Sequence, residues 1–135
     1  MSRRRYTPAE WAARRRAIGL SIDELAEVLK INPRTARGFE QPIPKYTPSP
    51  GLCTAMDDLL AEHTRQTELL AQTHAPILLP RICGTSGAGG PVGWHLAIAA
   101  RLVLTNPTIH LDWEAIQPEP EPKPTTFRDI FRTDI

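Results

Sequence analysis

Hydrophobic positions three and four residues apart recur along the chain, and the intervals between them carry residues that start and stop helices. Thr7 and Glu10 have capping-box spacing with Pro8 at the first helical position, so a helix is expected from Pro8, with Trp11, Ala12, the stem of Arg15 and Ile18 on one face and Gly19 as its stop. Ser21 and Glu24 repeat the box, and Leu25, Ala26 and Leu29 give a second apolar face that ends at Lys30 and Ile31. Asn32 can cap a third helix over residues 33–40, whose inward positions by spacing are Ala36 and Phe39. That spacing leaves Arg34, Thr35, Arg37 and Gly38 facing outward. Residues 41–50 hold four prolines, which forbids helix. A long helix is then expected over residues 51–73, with Leu52, Met56, Leu59, Leu60, His63, Thr67 and Leu70 in one stripe. It has to pack on the front of the chain, on another subunit, or on both. His63 reads as a packed or hydrogen-bonded residue rather than a ligand.

The rear of the chain changes character. Residues 75–82 form a short apolar run between Pro76 and Pro80, and the prolines point to an edge strand. Residues 84–93 contain five glycines but lack the Lys and Ser or Thr that complete a phosphate loop, so they read as a connector. Residues 94–104 form an apolar helix with only His95 and Arg101 polar, and residues 108–113 alternate as a second strand. His110, Asp112 and Glu114 share a face of that strand, with a solvated surface preferred over a metal site. A Pro/Glu linker follows at 117–124. The last residues carry Phe127, Ile130 and Phe131 on one side of a helical turn, an apolar tag that docks on the chain's own dimer or on a partner protein.

Charge sharpens this division. The formal net charge is only +1, yet residues 1–45 hold ten Lys or Arg against five acids and residues 46–135 hold six against ten. A basic front and an acidic rear suit a DNA-binding headpiece followed by a region with another task. Arg3, Arg4 and Arg5 form a basic arm that either follows phosphates or reaches a minor groove, or else is simply solvated. Lys45 and Tyr46 either offer further phosphate contacts or are simply exposed. Cys53 and Cys83 stand apart with no CxxC spacing, so neither a zinc site nor a disulfide framework is expected. With no apolar run near the length of a membrane span and no signal peptide, a cytoplasmic chain is expected. No nucleophile with a base, paired acids or complete phosphate loop is visible, so no enzyme activity, cofactor or metal is expected.

The segment from Leu20 to Glu40 resembles the helix-turn-helix of the Cro and phage-repressor (Xre) type, carried by Leu20, Ser21, Asp23, Glu24, Leu25, Ala26, Leu29, Asn32, Phe39 and Glu40. With the preceding helix the likeness covers about a third of the chain. It departs at Lys30, where the family has a turn glycine, at Ile22, where a polar residue opens the first helix, and at Gly38, where a DNA-contacting side chain is common. The resemblance implies that the helix over 33–40 enters a major groove, with Arg34 and Arg37 on base edges, Thr35 on a phosphate or thymine methyl, and Asn32 capping or bonding a phosphate. A narrower likeness, carried by VGWHLAIAARLVL, is to small phage-associated and anti-CRISPR-associated repressors whose rear segment dimerises. It implies that Trp94, Leu96, Ile98, Leu102, Ile109 and Leu111 form a homodimer interface. The expected architecture is mainly α: a helix-turn-helix headpiece with a long helix over 1–74, a strand-helix-strand dimerisation unit over 75–116, and a linker and tail over 117–135. The expected function is a dimeric DNA-binding repressor acting on an inverted-repeat operator, with an antitoxin whose tail blocks a protein partner as the competing reading.

Overall fold

The structure, a computed structural model, describes residues 5–43, 46–73, 76–79, 91–113 and 125–126. It is mainly helical with a small parallel sheet. In chain order the elements are α1 (Pro8–Ala17), α2 (Ile22–Leu29), α3 (Pro33–Gly38), α4 (Pro50–Ala71), β1 (Ile77–Leu79), α5 (Val92–Thr105), β2 (Leu111–Trp113) and β3 (Thr125–Thr126). The chain divides into two compact units, Met1–Glu62 and His63–Ile135. That division falls inside α4, whereas residue 74 was the boundary expected from sequence.

In the first unit, local sequence sets each helix end. Both capping boxes form: Thr7 Oγ1 accepts from the Glu10 N–H at 3.1 Å and Ser21 Oγ from the Glu24 N–H at 3.1 Å, while each glutamate reaches back to its cap residue's N–H at 2.9 Å. At the end of α1 the Gly19 N–H donates to the Arg16 carbonyl and the Leu20 N–H to the Arg15 carbonyl, with Gly19 at φ 75°. The end of α2 repeats this six-residue closure, Lys30 N–H to Glu27 and Ile31 N–H to Ala26. There the left-handed position, φ 58° and ψ 47°, falls to Lys30 instead of a glycine. The three residues 30–32 then lead directly into α3, which packs against α2.

The core of this unit follows the apolar spacing: Trp11, Ile18, Leu20, Leu25, Ala26, Ala36, Phe39, Cys53 and Met56 are all buried. Trp11 and Phe39 meet edge to face at 5.3 Å and 79°, joining α1 to the end of α3. Arg15 is also buried. Its Nε and Nη2 donate to the two Glu40 carboxylate oxygens at 2.6 and 2.9 Å, and Nη1 donates to the Leu20 carbonyl at 2.9 Å. The side chains of the pair are each only 11% exposed. Such a bidentate pair holds its elements in one geometry while the backbone bond satisfies a further donor.

The second unit is built on His63, Leu70, Ile77, Leu79, Trp94, His95, Ile98, Ala99 and Leu102, all buried. The strand order is β2-β1-β3 and both pairings are parallel, Ile77 opposite Leu111 on one side and opposite Thr125 on the other. The stretch expected as an edge strand is therefore the central one. Pro76 and Pro80 lie outside the three paired residues, so they remove no donor from the ladder. α5 connects β1 to β2 and packs on β1. The glycine-rich connector at 84–90, the linker at 117–124 and the tail at 127–135 lie outside the described residues.

Candidate nucleic-acid interface

α3 presents its charged residues outward because its apolar positions are consumed inside. Ala36 and Phe39 are buried, while Arg34 and Arg37 are exposed and Thr35 is half-buried. Asn32 is exposed, and its Oδ1 accepts the Arg34 backbone N–H at 2.8 Å. Its oxygen is thus committed to capping the helix. Arg37 turns back towards the first turn of α2, where its Nη1 donates to Asp23 Oδ1 at 3.0 Å. Both side chains of this pair stay open to solvent, 55% exposed for Arg37 and 72% for Asp23.

Gly38 departs from the expectation. It is buried, and it lies beneath Tyr46: a Cβ built there would stand 2.5 Å from Tyr46 Cδ2. The proline-rich loop folds the tyrosine ring over the end of α3, so Gly38 is not on the outer face that helical spacing gave it. The absent side chain is what lets the ring approach. Tyr46, half-buried, therefore occupies the surface at this end of α3.

The three consecutive arginines of α1 have separate fates. Arg15 is inside with Glu40. Arg14 lies over the Tyr6 ring, its guanidinium carbon 4.0 Å from the centroid, and donates to the Glu10 carbonyl at 3.1 Å. Arg16 is exposed. The Tyr6 hydroxyl donates to the Asp57 carboxylate, and that bond, together with burial, raises the phenol above its ordinary pKa of 10.0. Arg5, Lys30 and Arg16 add exposed positive charge to this unit, whereas Arg3, Arg4 and Lys45 lie outside the described residues.

The residues expected to bind a second copy divide into two groups. Trp94, Ile98 and Leu102 are covered within the single chain, at 9%, 0% and 2% exposure, so they build the core of the second unit and present no surface to a partner. The apolar helix finds its cover in its own unit because the sheet and the end of α4 supply buried apolar residues there. Ile109 and Leu111 are half-buried, and Leu96 is 41% exposed. Leu96 is one of an outward set on α5 that also includes Ala100, Val103 and Leu104. No charged residue interrupts that set.

His63 has no lone pair to offer a metal or substrate. Its Nδ1 lies 2.8 Å from Arg101 Nη1 and its Nε2 lies 3.1 Å from the Trp94 carbonyl. A guanidinium only donates and a carbonyl only accepts, so the imidazole is neutral with its proton on Nε2. Burial lowers its pKa to about 4, helped by the Arg101 and His95 charges and opposed by the bond to Trp94. The surrounding contacts complete the set: Trp94 Nε1 donates to Gln66 Oε1 at 2.7 Å, Arg101 Nη2 to Thr64 Oγ1 at 3.2 Å, and the imidazole meets the indole edge to face at 4.6 Å. The cluster ties α4 to α5. Among the described residues no group of three or more His, Cys, Asp or Glu is placed to hold a metal ion, and no helix is long and apolar enough to cross a membrane. His110 and Asp112 are exposed, and Glu114 lies outside the described residues.

Sequence spacing could not find the Asp23 to Arg37 pair, because its members sit on different helices and their contact depends on how the turn packs α3 on α2. The Tyr46 cover over Gly38 had a signal, a glycine at an outward helical position followed by an aromatic residue in a stiff loop. No family model, curated protein or solved structure matches the chain.

Proposed function

We propose that the chain is a sequence-specific DNA-binding transcriptional regulator, a dimeric repressor of the phage type, in which α2 and α3 act as a helix-turn-helix. The observation that carries this reading is the outer face of α3: two exposed arginines on a short helix whose opposite face is locked into a core, a shape and charge suited to a major groove. Arg34 and Arg37 offer planar donor forks for guanine O6 and N7, and Thr35 a contact to phosphate or a thymine methyl. The exposed arginines at positions 5 and 16 offer further phosphate contacts. The uncharged outward set on α5 is the surface offered to a second copy, which a two-fold operator requires.

The test is binding of the purified protein to the DNA upstream of its own gene, by shift assay across a salt series with footprinting. A protected inverted repeat is expected, with log affinity falling against log salt by about 0.9 for each neutralised phosphate. Arg34→Ala is expected to cost roughly 1–3 kcal/mol and to relax preference at one base pair of each half-site. Protection no better than on random duplex overturns the reading.

A further inference from the structure

We infer that Asp23 is a positioning residue for Arg37, one that turns this arginine from a general phosphate binder into a reader of a single base pair; the inference rests on the DNA-binding reading above. Three observations lead to it. The pair joins the first turn of α2 to the last turn of α3 through one bond of 3.0 Å. It is more than half exposed on both sides, so it contributes little to folding stability and folding does not explain its geometry. And it places a carboxylate next to an outward arginine of the very helix proposed to approach a polyanion, which general attraction to DNA would disfavour.

The chemistry of the guanidinium reconciles these points. Its five N–H donors lie in one plane, and Asp23 engages one of them, which leaves the others for a pair of acceptors in that plane. A free arginine on a helix surface samples many rotamers and takes whichever phosphate is near. Held by Asp23, Arg37 presents its fork in a preferred direction, and part of its rotamer freedom is given up before DNA arrives. The charges of the pair also cancel. Arg37 therefore adds little to counterion release on any sequence, and a phosphate approaching it meets the carboxylate as well. Both effects raise the difference between right and wrong DNA, partly by weakening the wrong one.

Two duplex probes test this: a random-sequence duplex, and the site that the wild-type protein selects from a randomised library. Asp23→Ala is expected to bind the random duplex several-fold more tightly, with a salt slope steeper by about 0.9. Its ratio of selected to random affinity falls roughly tenfold, with the loss confined to one base pair. Arg37→Ala loses discrimination at that same base pair, and in its background Asp23→Ala has no further effect there. Glu27→Ala, which removes an exposed acid from the same helix while leaving the Asp23 to Arg37 bond in place, leaves discrimination at every position as in wild type. Asp23→Asn keeps an acceptor oxygen without charge and serves if the alanine variant unfolds; it retains the base preference but gains random-duplex affinity. Unchanged discrimination in a folded Asp23→Ala protein overturns the inference and reduces Asp23 to a helix N-terminal charge. If the wild type selects no sequence, the DNA-binding reading itself fails and this inference falls with it.

Discussion

Lys30 and Gly19 occupy equivalent positions at the ends of α2 and α1, and both adopt left-handed backbone. A side chain in that conformation costs about 1–2 kcal/mol, whereas glycine adopts it freely and loses somewhat more entropy on folding. Lys30→Gly is therefore expected to raise unfolding free energy by about 0.5–1 kcal/mol, seen as a higher urea midpoint with unchanged slope. A lower midpoint would mean that the lysine side chain contributes more than its strain. The turn itself was legible, since the apolar spacing stops at Leu29 and Asn32 can open a helix. Its handedness was not, because nothing about a lysine announces positive φ. The same limit applies at Gly38: helical spacing assigned its direction correctly for an isolated helix, and only the packing of Tyr46 made the position an interior one.

Between elements, the Arg15 to Glu40 pair fastens α1 to the chain just beyond α3. Both side chains are nearly buried, so removing one member leaves the other charged and without its partner. Glu40→Ala is expected to destabilise the first unit by about 3 kcal/mol in urea unfolding, while the double variant Arg15→Met with Glu40→Leu recovers most of that loss. Equal losses in both proteins would show that the ion pair itself, and not the burial of a lone charge, sets the stability. Spacing alone placed Arg15 on the apolar face of α1, but its acceptor lies far along the chain. The strands show the complementary failure. Prolines on both sides of residues 77–79 suggested an edge, yet three residues are enough to pair on two sides, and the third strand had no cue beyond two adjacent threonines at 125–126. The helices were legible because caps and apolar period are local; the sheet order depends on partners distant in sequence.

At the scale of the molecule, acid acts on the second unit through His63. In the unfolded chain its imidazole takes a proton near pH 6.5, whereas in the fold it resists protonation down to about pH 4. Between those values the unfolded state binds the extra proton, so stability is fully present above about pH 6.5 and drains away as pH falls towards 4. The shift corresponds to about 3 kcal/mol. Urea unfolding at pH 7 and at pH 4.5 is expected to show about 2 kcal/mol of this loss in the wild type and less in His63→Gln. The same loss in both proteins would assign the acid sensitivity to other groups. An unbroken stripe along α4 gives no sign that residues before and after Glu62 belong to different compact units.

The parallel sheet also sets an order of events. Every backbone pairing of β1 waits for chain made much later, first Leu111 and then Thr125, while the first unit closes through neighbouring helices whose ends are fixed by their own caps. Contacts between near neighbours form fast and distant strand pairings form slowly. As the chain leaves the ribosome, the arginine-bearing front thus matures while the rear is still waiting for its last strand, and β1 keeps one edge unpaired until Thr125 is made.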